Sequence, residues 1–229
     1  VAEKIFRTLQ PDCKFTSFKK DGEPMKYGEL AFQVEADIHT ILQGERLVLN
    51  CMQRMSGIAT LTRQYVDRLK DAHCKLLDTR KTTPNFRLLE KEAVRIGGGV
   101  NHRFGLFDMI MLKDNHIDFA GGITAAINNT KAYLKARQLD LKIIVEARDL
   151  NEIEEILKSD GVYRILIDNF NYEDTRKAVK RIGNKCLTES SGGINEKTVR
   201  KYAECGVDYI SSGALTHSVY NMDLSLKAV

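Results

Sequence analysis

Residues 143–190 read IIVEARDLNEIEEILKSDGVYRILIDNFNYEDTRKAVKRIGNKCLTES. Three short apolar runs, at 143–145, 165–167 and 186–187, alternate here with amphipathic stretches at 150–157 and 174–182. Runs this short, rich in β-branched residues and separated by helical periodicity, predict strands joined by crossover helices, hence a parallel α/β fold. Polar residues follow each run, among them Glu146, Asp168 and Ser190. The spacing is regular, since 168 − 146 = 22 and 190 − 168 = 22. Equal βα units favour a barrel, although periodicity leaves an open sheet as the alternative.

The pattern extends outward in both directions. Further apolar runs lie at 74–77, 109–112 and 209–210, with helical periodicity at 86–96, 124–134 and 196–205. Toward the N-terminus the signal changes. Residues 1–44 read as irregular or β-rich, with KYGELAFQV at 26–34 behind an Asp21-Gly22 turn. From 45 to 69, Leu47, Leu49, Met52, Met55, Ile58 and Leu61 recur at roughly helical spacing, with Ser56-Gly57 offering a break point.

Composition narrows the function. With 43% hydrophobic and 29% charged residues, the chain has enough apolar material for a packed core. A net charge of +4 without a basic stripe or nucleic-acid motif points to acidic small molecules rather than nucleic acid. No apolar run reaches membrane-spanning length, no signal peptide is read, and the start at Val1 rather than Met suggests a missing native N-terminus. The five cysteines (13, 51, 74, 186 and 205) are odd in number and lack CxxC spacing. They argue against a disulfide framework or zinc site, and for a reducing, cytoplasmic compartment.

Polar residues follow nearly every expected strand: Asp78 with Arg80, Lys113, Glu146, Asp168, Ser190–Ser191 and Ser212–Gly213. In a parallel barrel these ends converge on the face that carries the active site. Arg80, Lys81, His102, Arg103 and Lys113 form a group suited to a substrate with several negative groups, guanidinium forks matching carboxylates. Glu146 and Asp168 have three uses open to them: holding Mg2+, accepting from ribose hydroxyls, or capping the helices that follow. Ser190-Ser191-Gly192-Gly193-Ile194 and Ser211-Ser212-Gly213-Ala214-Leu215-Thr216 end the last two strands with backbone suited to phosphate. Together they suit a polyanionic aromatic or small acid opposite a metal-bound phosphorylated sugar.

LDTRKTTP at 77–84, Glu90-Lys91, Ala93-Val94, GGGVNHR at 97–103 and KDNH at 113–116 occur in order, with SGIAT at 56–60, SGGI at 191–194 and GALTH at 213–217. This set resembles the signature of the quinolinate phosphoribosyltransferases along nearly the whole chain. The resemblance implies an incomplete α/β barrel as catalytic domain over 59–217. It also implies a smaller N-terminal α/β sandwich over 1–58, truncated at its start and joined by the tail 218–229, in a dimer or larger assembly. The implied reaction joins quinolinate to 5-phosphoribosyl pyrophosphate, releasing pyrophosphate and CO2 and giving nicotinate mononucleotide in de novo NAD biosynthesis.

By the same resemblance, Arg80, His102, Arg103 and Lys113 would hold the quinolinate carboxylates. Arg46, placed ahead of the helix, would enter the neighbouring subunit's site. Lys81 would lie near the pyrophosphate, and Glu146 and Asp168 would serve Mg2+ and the phosphoribosyl group. Ser191, Gly192 and Gly213 would cradle the 5′-phosphate. The catalytic set is then Arg46, Arg80, Lys81, Lys113, Glu146 and Asp168. Two rivals are an enzyme of the same fold acting on a monocarboxylate such as nicotinate, and a silent phosphosugar-binding protein. The surplus of cations opposes the first, because a monocarboxylate would leave buried charge unpaired. Turnover of the two acids would separate them.

Overall fold

The structure, a computed structural model, describes residues 1–229. A small unit opens the chain: α1 (Ala2–Leu9), then β1 (Lys14–Ser17) and β2 (Phe32–Glu35) paired antiparallel with Lys14 opposite Glu35. Phe6, Cys13, Ala2 and Val48 form its buried cluster, against which Phe15 and Phe32 pack and stack at 4.8 Å. The irregular or β-rich expectation for 1–44 therefore missed a helix. It also overextended a strand, since β2 begins only at Phe32.

The helix expected from 45 begins at Ile38 and runs unbroken to Arg68 as α2. Val48, Cys51, Met55, Ile58, Thr62 and Tyr65 are buried along it, the alternating three- and four-residue spacing of one helical face. Val48 belongs to the small cluster, whereas Met55, Ile58 and Tyr65 belong to the main core. One helix thus joins both, and the expected 58/59 boundary falls inside it. Ser56-Gly57 does not break α2. A Cβ on Gly57 would collide with the carbonyl of Tyr220, so the glycine admits the C-terminal tail rather than ending the helix. The tail is held by Met222 N–H donating to the Gln53 carbonyl (3.1 Å) and Gln53 Nε2 donating to the Leu224 carbonyl (2.9 Å). Leu226 then packs on the small cluster.

The remaining chain builds a parallel sheet. Its elements are β3 (Lys75–Leu77), α3 (Arg87–Ile96), β4 (Ile110–Leu112), α4 (Asp114–Ala120), α5 (Ile123–Arg137), β5 (Ile143–Ala147), α6 (Leu150–Ile156) and β6 (Arg164–Asp168). Then follow α7 (Tyr172–Ile182), β7 (Leu187–Ser191), α8 (Val199–Ala203), β8 (Tyr209–Ser211) and α9 (Ala214–His217). The six strands lie in the order β3-β8-β7-β6-β5-β4. From β4 to β8 each strand pairs its sequence neighbour, and the last then pairs the first, β8 with β3. That is the cyclic order of a barrel with one pairing, β3 to β4, missing. The segment after α3 lies along the open edge of β3, with Val100 N–H donating to the Leu76 carbonyl (2.8 Å).

Strand alternation sorts the two faces of the sheet. Ile143, Val145, Ala147, Ile165, Ile167 and Ile210 face the helices in a core cluster of 29 residues. The opposite face carries Glu146, Arg164, Leu166, Asp168, Glu189 and Ser191. This polar interior explains why β7 showed only Cys186–Leu187 as an apolar run although the strand extends through Ser191. The short helix α4, started by Asp114, was not anticipated.

Candidate active site

The strand ends converge on a cleft of about 790 Å³. Arg80, Lys81, His102, Arg103, Lys113, Glu146, Asp168, Ser191, Gly192 and Gly213 all line it. Arg46 does not. It lies within α2 rather than ahead of it, and is exposed.

Asp78, expected among the strand-end residues of this face, lies beneath it. Its carboxylate is fully buried and receives Lys91 Nζ at 2.5 Å, Asn101 Nδ2 at 2.7 Å and the His102 backbone N–H at 2.8 Å. Lys91 also donates to the His102 carbonyl at 3.0 Å. Burial raises the Asp78 pKa, opposed by Lys91; burial likewise lowers the Lys91 pKa, opposed by Asp78. The pair clamps the segment that carries His102 and Arg103.

Glu90, next to Lys91 on α3, does the same for the loop after β3. Its buried carboxylate accepts from Thr83 N–H (3.1 Å), Thr83 Oγ1 (2.8 Å) and Arg54 Nε (2.9 Å). Arg54 donates in addition to the Thr216 carbonyl, and Thr216 Oγ1 donates to the Lys81 carbonyl at 2.8 Å. Arg87, which the sequence reading passed over, lines the cleft and links Thr82 Oγ1 (3.1 Å) to the Phe104 carbonyl (3.1 Å). Arg80 and Arg103 lie close enough to interact: burial first, then repulsion from Arg80, lowers the Arg103 pKa. That is the electrostatic signature of a rim built for anions.

His102 has both ring nitrogens turned to protein groups. Nδ1 accepts the Arg103 backbone N–H at 2.6 Å, and Nε2 lies 3.3 Å from Glu189 Oε2.

On the acidic rim, Glu146 and Asp168 end neighbouring strands. The capping alternative does not describe them: α6 is capped by Asp149, accepting from Asn151 and Glu152 N–H, and α7 by Asn171, accepting from Asp174 N–H. Burial, and then the Asp168 charge, raises the Glu146 pKa, while Lys113 draws it down. Asn169, also unforeseen, holds Asp168 Oδ2 through Nδ2 at 2.6 Å from a left-handed backbone conformation (φ 56°). Its side chain fills the space where a Cβ on Gly192 (φ 94°) would stand, so only glycine fits there. Ser212 Oγ donates to the Ile194 carbonyl at 2.9 Å and ties the two glycine loops together. Lys81 lies beside Gly213, bringing one cation to this half of the cleft.

An open parallel barrel whose strand-end cleft is cationic on one rim, acidic on the other and glycine-lined over its last two strands defines a class. It is that of barrel enzymes acting on phosphorylated, anionic small molecules. Comparison with known proteins narrows the class. The family profile for the quinolinate phosphoribosyl transferase C-terminal domain matches residues 58–227, and that for the N-terminal domain matches 1–56. A chloroplastic nicotinate-nucleotide pyrophosphorylase (carboxylating) of Arabidopsis thaliana is 44% identical over 99% of this chain and 69% of its own length. A probable nicotinate-nucleotide pyrophosphorylase (carboxylating) of Bacillus subtilis is 42% identical over 99% of this chain and 77% of its own. Among solved structures, NadC from Streptococcus pyogenes superposes with a TM-score of 0.92 at 39% identity, covering 99% of this chain and 79% of that one. The chain belongs to the quinolinate phosphoribosyltransferase family.

Two measurements follow from the site's electrostatics. Lys91→Met leaves Asp78 buried without its cation and should cost about 3–5 kcal/mol in chemical denaturation; a loss below 1 kcal/mol would refute the clamp. In a carboxyl 13C titration by NMR, Glu146 should have a midpoint above the ordinary carboxylate range. Asp168→Asn should move that midpoint down and Lys113→Met should move it up, since the first removes a like charge and the second an opposite one.

Proposed function

We propose that this chain catalyses the family's reaction, converting quinolinate and 5-phosphoribosyl pyrophosphate to nicotinate mononucleotide, pyrophosphate and CO2. The observation that carries the reading is the division of one cleft by charge. Arg80, Arg103 and Lys113 line one part of it and Glu146 and Asp168 the part next to Lys113, with the glycine loops after the last two strands. The cations neutralise the two substrate carboxylates, His102 serving them by orienting Arg103. Backbone N–H groups around Ser191, Gly192 and Gly213 receive the 5′-phosphate. Lys81 lies near the pyrophosphate.

Glu146 and Asp168 suit Mg2+: two oxygen donors on adjacent strands, close enough that one raises the pKa of the other. Mg2+ usually keeps several waters and is completed by substrate phosphates, so two carboxylates are enough to hold it there. When bound, Mg2+ would offset the negative charge of the pyrophosphate.

The pyridine nitrogen attacks the anomeric carbon as the bond to pyrophosphate oxygen breaks, and the cationic rim holds the ring in line for that attack. The resulting quaternary nitrogen accepts the electron pair left when the adjacent carboxylate departs as CO2, and a proton takes its place on carbon. Preorganised charges, rather than a covalent enzyme intermediate, supply the catalysis.

We assign residues 1–58 and the tail 218–229 to one domain and 59–217 to the catalytic barrel, supported by the seat of Leu226 on the small cluster. We also assign Arg46 to the neighbouring subunit's site in a homodimer, since it is exposed and lies outside its own cleft. The five free cysteines support a reducing, cytoplasmic setting, and no helix is long and apolar enough to cross a membrane.

Incubation with quinolinate, phosphoribosyl pyrophosphate and Mg2+ should yield CO2 and nicotinate mononucleotide in equal amounts, and only with Mg2+. Comparable turnover of nicotinate would contradict the dicarboxylate assignment. The role of Arg46 is checked by mixing two impaired variants, Arg46→Ala and Arg103→Ala. Random exchange in a two-fold dimer should restore roughly a quarter of the sites, whereas no recovery after verified exchange would confine the effect of Arg46 to its own subunit.

A further inference from the structure

Glu189 is fully buried beneath the cleft, and the reaction described above gives it no part. It points from β7 into the barrel, with a side chain 0% exposed. Arg164 Nη1 on the neighbouring strand donates to its Oε2 at 2.7 Å, and the Arg164 guanidinium stacks on the Tyr209 ring at 4.1 Å. By itself this is a cross-strand ion pair that clips β6 to β7.

The third member exceeds that description. His102 comes from the segment lying along the open edge of the barrel, and its Nε2 sits 3.3 Å from the same oxygen with its side chain 5% exposed. Since His102 Nδ1 accepts the Arg103 backbone N–H, the ring proton stands on Nε2, facing the carboxylate. The contact is not in line: His102 Nε2, Glu189 Oε1 and Arg164 Nε are all buried without a hydrogen-bond partner. A strand clip has no use for an imidazole. A loose buried contact next to a substrate arginine is, however, what tightens when ligand enters a site.

We propose that Glu189, anchored by Arg164, is a positioning residue that holds the His102 ring with its proton on Nε2, so that Nδ1 remains the acceptor that orients Arg103 for the substrate carboxylate. This rests on Arg103 being a quinolinate ligand, as assigned above.

Removing one charge alone would leave its partner buried and unpaired, so the test replaces both. R164M/E189Q keeps an amide oxygen to accept from His102; R164M/E189L does not. The Leu variant should show a quinolinate KM at least tenfold above the Gln variant, with the KM for phosphoribosyl pyrophosphate equal in the two. Equal quinolinate KM values, or a parallel rise for both substrates, would overturn the proposal.

The 15N shifts of His102 in the unaltered protein decide the matter should either variant fail to fold. A proton on Nε2 supports the assignment and one on Nδ1 refutes it. Arg103→Ala measured alongside separates the two layers. If quinolinate KM is unmoved there, the ligand role of Arg103 fails, while the tautomer still reports on the Glu189–His102 link.

Discussion

Lys91 reaches Asp78 in the interior, where water cannot solvate either charge, and the adjacent residue on the same helix, Glu90, is equally buried. Breaking such a pair costs several kcal/mol, because the surviving partner stays desolvated. Each partner therefore has to be where the other is. Asp78 lies at the end of β3, the His102 backbone bonds to both members of the pair, and Thr83 bonds to Glu90. The two loops that present Arg80, Lys81 and Arg103 are thus tied to one helix by interior charge. Side chains on the rim of a wet cleft could not do this for themselves, since exposed ion pairs are worth about 0–1 kcal/mol.

The missing pairing between β3 and β4 has a use in this light. A closed ring would leave the segment 97–103 no strand edge to lie along. In the open barrel it borders β3 and delivers His102 and Arg103 to the cleft that Glu146 and Asp168 also line. Guanidinium and ammonium groups on that side, and carboxylates and glycine loops on the other strand ends, divide the cleft by charge. The barrel interior continues this polarity downward through Glu189 and Arg164. A strand that carries them cannot read as a continuous apolar run.

Secondary structure was legible where burial is one-sided. Along β5 and β6 the helix-facing positions are all apolar, and the strand-end residues Glu146 and Asp168 stood out at equal spacing. It was less legible in the first 44 residues. There α1 is short, and its burial rests on Phe6 and Ala2 meeting α2 from elsewhere in the chain. Gly57 misled for a related reason. A glycine inside a helix reads as a break until the tail that crosses it, more than 160 residues later, is in place.

The sequence by itself determined the parallel α/β order, the strand ends that meet at the cleft, and the motifs that mark the family, because each is carried by neighbours in the chain. Only the tertiary structure decided which charges line the cleft and which face each other. Asp78 and Arg80 stand two residues apart, yet one is buried against Lys91 and the other lines the cleft. Arg87, Asn169 and Glu189 joined the site without announcing themselves. The reason is physical: whether a charge serves solvent, ligand or interior depends on desolvation and on the partner within about 3 Å, and that partner is set by the fold rather than by adjacency.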